Sequence, residues 1–245
     1  MVHIKICGVT RPEHAEAAID AGAAFVGLLF AEQSKRRVTV EQAKRIVCAV
    51  RGDAPSVSPL ALTGDGPWFH KCATALNEQL EEGGPLIVGV FANQPVALVN
   101  AIAESVGLDL IQLSGTERWD TCLQLHRPVI KTVRTEPGVP TAAMRQSLEP
   151  GMAHLLHVDA FVQGEMGGTG VTAAWDVATA LACDLPIMLA GGLTPENVED
   201  AIMRVRPWAV DVSSGVESGG VKDVTLIRAF TKAARAAAMV DDDHG

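Results

Sequence analysis

Apolar residues along this chain fall into short, nearly unbroken runs separated by longer amphipathic stretches. The runs are His3–Cys7, Phe25–Phe30, Leu86–Phe91, Asp109–Leu113, Val129–Val133, His154–Asp159, Ile187–Ala190 and Ala209–Val212. Their lengths and β-branched content predict strands covered on both faces, as in a parallel sheet. The stretches between them carry helix punctuation. Thr10-Arg11-Pro12-Glu13 opens a segment with Ala15, Ala18, Ile19 and Ala21 near one face, and Gly22 ends it. Thr194-Pro195-Glu196 opens another before Val198, Ala201 and Ile202. Eight strand–helix units of about 30 residues fit an α/β fold, a single-domain (β/α)8 TIM barrel over residues 1–240. An open doubly wound sheet is the structural alternative.

Residues 51–85 break the rhythm, with four Pro and five Gly around a helix-compatible piece from Trp68 to Gln79. The segment reads as an insertion on the surface rather than a substrate lid, because it leaves from a helix and not from a strand's C-terminal end. Removing most of 51–80 is therefore expected to spare activity. Residues 241–245 read as a polar tail.

Composition narrows the partners. Hydrophobic residues make up 48% of the 245, enough for one large core, and the absence of Tyr suits a filling of short branched side chains. A net charge of −9 argues against nucleic acid or an anionic membrane as partner. An anionic small molecule then needs a locally positive site. No apolar stretch reaches the ~18 residues of a spanning helix. The opening MVHIKICGVT has no apolar signal region, so the expected location is cytoplasmic. Five scattered cysteines without a C-x-x-C pair predict free thiols and no metal site, with four of them packing as small hydrophobes.

In a parallel barrel the chemistry gathers at the C-terminal strand ends. Cys7 ends the first run and Asp159 the sixth; Gly191-Gly192 follow the seventh, Ser213-Ser214-Gly215 the eighth, and Ser34 to Arg37 come soon after the second. Two glycine-containing loops side by side after the last strands predict a main-chain cradle for phosphate. Gly167, Gly168, Thr169 and Gly170 lie too far beyond Asp159 for a dinucleotide turn and read as a flap beside it. By position alone, Cys7 is a candidate base and Asp159 a candidate acid, against the plainer readings of a core thiol and a strand-end cap. Nearby Lys5 or Arg36 would lower the thiol's pKa.

The residues Lys5-Ile6-Cys7-Gly8-Val9-Thr10, Ser34-x-Arg36-x-Val38 and Val88-Gly89-Val90-Phe91-x-Asn93-Gln94 resemble phosphoribosylanthranilate isomerases. So do Asp109–Leu113, Gly167–Gly170, Ala190–Val198 and Val210–Glu217, in an order running from residue 3 to about 230. The resemblance implies an Amadori rearrangement in tryptophan biosynthesis, without metal or organic cofactor. It implies Asp159 as general acid and Cys7 as general base, with Arg36, Asp211 and Gln112 binding substrate and Arg36 meeting the anthranilate carboxylate. The implied partner is a phosphorylated small molecule, and the chain a monomer or homodimer. Two departures stand out. Ser114 replaces a histidine frequent in the family, and Arg37 follows Arg36, so either arginine is placed to bind the carboxylate. A histidine-pathway aminoaldose isomerase and a non-catalytic phosphate-binding barrel are the rival readings.

Overall fold

Each of the eight apolar runs becomes a strand: β1 (His3–Cys7), β2 (Phe25–Leu29), β3 (Leu86–Phe91), β4 (Leu110–Leu113), β5 (Val129–Arg134), β6 (Leu155–Asp159), β7 (Ile187–Ala190) and β8 (Ala209–Val212). In the computed structural model these close into a barrel of sequential parallel neighbours, sealed where His3–Ile6 of β1 pair with Ala209–Val212 of β8. The structure describes residues 2–52, 60–62, 65–135, 141–160 and 169–242. Strand ends differ from expectation by one residue at most. Asp109 falls outside β4 because its carboxylate is taken up at the strand's entry, accepting from Ile87 N and Arg51 Nη1, each at 2.7 Å.

The helices are α1 (Pro12–Ala21), α2 (Val40–Arg51), α3 (Trp68–Gly83), α4 (Val96–Val106), α5 (Thr141–Gln146), α6 (Thr169–Ala182), α7 (Val198–Val205) and α8 (Val224–Asp242), with a 3-10 turn over Trp119–Gln124 after β4. Pro12 stands at the start of α1 and Gly22 closes it in a left-handed cap, as the sequence punctuation implies. Helix α8 takes in Asp241 and Asp242 of the expected polar tail; residues 243–245 lie outside the described residues. Among the described residues no helix is long and apolar enough to cross a membrane.

Strand alternation sorts side chains into two cores. Ile4, Ile6, Val26, Ile111, Leu156, Leu189 and Val210 pack outward against the helices. Phe25, Leu86, Val88, Leu110, Ile130, Leu155, Met188 and Ala209 fill the barrel itself.

Helix α3 corrects the expectation for 51–85. Its face Phe69, Cys72, Ala73 and Leu76 is buried at helical spacing, and Leu76 joins the barrel's inner core. Trp68 Nε1 donates to Ala153 O at 2.5 Å, just before β6. Asn77 Oδ1 lies 2.8 Å from His3 Nε2 and accepts from Trp208 Nε1 at 3.2 Å, where β1 and β8 begin. The helix therefore closes the N-terminal floor of the barrel, opposite the strand ends that carry the candidate chemistry. It is neither a neutral surface excursion nor a lid. Residues 53–59 and 63–64 lie outside the described residues.

Candidate active site

Cys7 sits at the C-terminal end of β1, 6% exposed. Two residues back on the same strand face, Lys5 is fully shielded from solvent, with its ammonium 2.8 Å from Asp211 Oδ2 on β8. The same Asp211 oxygen lies 2.9 Å from His157 Nε2, and His157 Nδ1 lies 3.2 Å from Thr132 Oγ1. Thr132 is 2.9 Å from Ser114 Oγ, which accepts from Gln112 Nε2 at 3.0 Å. A band of polar contacts thus runs around the upper barrel from β1 through β8, β6 and β5 to β4. Ser114 is one of its members.

The charges in this band tune one another. Burial alone raises the Asp211 carboxyl, but Lys5 and His157 overcome it and hold the group down at about 2. Burial depresses the Lys5 ammonium, and the opposing pull of Asp211 and Cys7 reverses this and raises it. Burial pushes the Cys7 thiol up, an effect Lys5 and Lys222 counter only in part. Cys7 therefore rests as a thiol near neutral pH, and its thiolate, once formed, is a strong base. Two buried acceptors, Asp211 Oδ1 and Gln112 Oε1, have no hydrogen-bond partner among the described residues.

Arg36 lies in the loop after β2. Its Nε and Nη2 engage the two carboxylate oxygens of Glu217, the latter at 2.7 Å. Arg37 is exposed and lines an outer groove with Phe30, Thr39 and Leu98. Of the two arginines, Arg36 is the one turned towards the β1 and β8 ends.

The loops after β7 and β8 touch. Gly191 and Gly192 both have positive φ, and a Cβ on Gly215 would lie 1.9 Å from Leu193 O, so only glycine permits this approach. Ser213 Oγ donates to Cys7 O at 3.1 Å, and Ser214 and Gly215 continue in a short 3-10 turn. Asp159 ends β6, three strands around the barrel from β1, and is paired in register with Arg134 and Ala190. Of the expected flap, Gly167 and Gly168 lie outside the described residues, whereas Thr169 and Gly170 form the first turn of α6 rather than a loop.

All five cysteines are free, but only Cys7, Cys72 and Cys122 are buried; Cys48 and Cys183 are exposed rather than packed. The sequence reading missed His157, Thr132, Glu217 and Lys222. His157 and Thr132 carry a usable signal, as polar residues in the inward phase of their strands. Glu217 and Lys222 carry a weaker one, the Gly219-Gly220 pair that turns a hairpin between them.

Comparison with known proteins gives a consistent result. The family model described as N-(5'phosphoribosyl)anthranilate (PRA) isomerase matches residues 68–233. An N-(5'-phosphoribosyl)anthranilate isomerase from Roseiflexus sp. (strain RS-1) is 45% identical, covering 98% of this chain and 100% of its own length. A tryptophan biosynthesis protein from Phytophthora nicotianae is 40% identical over 94% of this chain, which spans 46% of that longer protein. The crystal structure of phosphoribosyl anthranilate isomerase from Thermotoga maritima superposes with a TM-score of 0.73 at 32% identity, covering 96% of this chain and 100% of the other. A phosphoribosyl anthranilate isomerase in complex with reduced 1-(o-carboxyphenylamino)-1-deoxyribulose 5-phosphate gives 0.71 at 30%, with the same coverage.

Proposed function

Since the chain belongs to the N-(5'-phosphoribosyl)anthranilate isomerase family and carries out that reaction of tryptophan biosynthesis, we propose that Cys7 is its general base and Asp159 its general acid. Asp159 protonates the ring oxygen of the ribosyl group, which opens to a Schiff base. The Cys7 thiolate removes the C2' proton, and the resulting enolamine tautomerises to the ketone. Proton transfers of this kind need only two positioned groups of suitable pKa.

The observation that carries this reading is the pair of unspent acceptors. Asp211 Oδ1 and Gln112 Oε1 lie buried in the polar band with no hydrogen-bond partner among the described residues. Leaving buried acceptors unpaired is costly, and the hydroxyls of a sugar are donors of the right kind. Arg36 meets the anthranilate carboxylate as a planar fork, and the adjoining loops at Gly191-Gly192 and Ser213-Ser214-Gly215 take the phosphate. The working partner is thus one phosphorylated small molecule, handled without a cofactor by a cytosolic monomer or homodimer.

The test is turnover of freshly prepared ribosylanthranilate by the wild-type protein and by Asp159→Asn and Cys7→Ser. Loss of turnover with binding retained supports the pair, and near-normal turnover in either variant sinks that assignment.

A further inference from the structure

We propose that Glu217 is a positioning residue for Arg36, fixing which edge of the guanidinium meets the substrate carboxylate. The proposal rests on the reading above that Arg36 binds that carboxylate. A guanidinium offers two bidentate edges, one formed by Nε with one terminal nitrogen and the other by the two terminal nitrogens. Glu217 occupies the first, taking Nε and Nη2. Nη1 makes no hydrogen bond among the described residues, so the end-on edge is left to a ligand.

Glu217 is itself anchored. It lies on β9 (Glu217–Ser218), which pairs with β10 (Val221–Lys222) in a two-residue hairpin placing Lys222 opposite Glu217. Gly219 and Gly220 both have positive φ, as that tight turn requires. Lys222 Nζ reaches Glu217 Oε1 at 2.6 Å and Ser213 O at 2.8 Å. The Glu217 and Lys222 side chains are 6% and 1% exposed, against 29% for Arg36. Arg36 is also confined from below, since its Cδ lies 2.6 Å from where a Cβ on Gly8 would stand.

Two cations share one carboxylate here, so the cluster keeps a net positive charge. Burial favours the neutral acid at Glu217, but the hydrogen bonds from Arg36 and Lys222 outweigh it and hold the carboxyl below its ordinary range. An arriving carboxylate meets a guanidinium already oriented and not fully neutralised. A displaceable competitor would not be buried and held by a second cation.

The experiment compares steady-state kinetics on ribosylanthranilate for Glu217→Gln, Arg36→Ala and the double variant. Thermal protection by inorganic phosphate is measured alongside. Glu217→Gln is expected to raise KM roughly tenfold to hundredfold, as loss of a charged hydrogen-bonded partner does, with kcat within about threefold. The double variant is expected to be no worse than Arg36→Ala alone, because the two act through one contact. Phosphate protection stays as in wild type. An unchanged or lowered KM in Glu217→Gln, while Arg36→Ala raises it, overturns the inference and leaves the Arg36 reading standing. If Arg36→Ala leaves KM unchanged, the Arg36 reading itself falls. Equal loss of phosphate protection marks Glu217 as merely structural. If Glu217→Gln does not fold, Glu217→Asp keeps the charge for Lys222 but, one methylene shorter, falls short of reaching Nε and Nη2. It should raise KM in the same direction, and an unchanged KM there also refutes the proposal.

Discussion

Lys5 and Asp211 form a 2.8 Å ion pair across the seam where β1 meets β8, with the lysine wholly excluded from water and the aspartate nearly so. Removing one partner of such a pair strands the other charge. Lys5→Met is expected to destabilise the fold by about 3–5 kcal/mol in urea titration, the usual cost of an uncompensated buried charge. A loss below about 1 kcal/mol would mean that Asp211 is readily resolvated or protonated, contrary to the packing described.

The same pair fixes the response to acid. Because the folded pKa of Asp211 is depressed to about 2, its contribution is fully present above the unfolded value of ~3.9 and is lost as pH falls towards 2. It is worth on the order of 2 kcal/mol. Asp211→Asn is expected to show a flatter stability curve between pH 5 and 2 than wild type. Parallel curves would show that other carboxylates dominate acid unfolding.

Cys7 predicts a pH dependence at the alkaline end of the scale. Burial raises the thiol's pKa, so alkylation of Cys7 by iodoacetamide, read by peptide mass spectrometry, is expected to accelerate with pH through neutrality and beyond the ordinary thiol value of ~8.5. Cys7→Ser is expected to lower kcat roughly 10²–10⁴-fold with little change in KM. A Cys7 labelling rate independent of pH between roughly 6 and 9 would be incompatible with a raised thiol pKa.

At the other end of the barrel, Leu76→Ala is expected to cost roughly 2–5 kcal/mol by opening a cavity in the floor. In the folded fraction kcat/KM should stay near wild type, since the active strand ends lie opposite. Denaturation and kinetics on one preparation separate the two effects. For the same reason, removing 51–80 is now expected to unfold the protein rather than spare its activity.

The strands were legible because a barrel strand is buried on both faces and shows as a bare apolar run. The placement of Cys7 and Asp159 was legible because a strand's C-terminal end is a geometric address, whereas Asp211 came only with the family resemblance. Helix α3 was misread because its glycine- and proline-rich approach hides an apolar face at Phe69, Cys72, Ala73 and Leu76, and no local pattern says which end of a barrel that face will cover. The choice between Arg36 and Arg37 stayed open in the sequence because both sit in one loop. What turns Arg36 rather than Arg37 towards the β1 and β8 ends is Glu217, a residue 181 positions away. His157 hid inside an apolar run and Lys5 was read only for its effect on Cys7; pairing with Asp211 rather than local sequence makes the burial of both tolerable.

Asn77 gives the floor helix a wider significance. One side-chain oxygen touches both the first residue of the opening strand and the tryptophan leading into the last. It acts as a clasp where the two ends of the cylinder are joined. Cys7, Lys5 and Asp211 all hang from those two strands, so their spacing is steadied from the far side of the molecule, and wear in the clasp should be felt as drift at the sulfur.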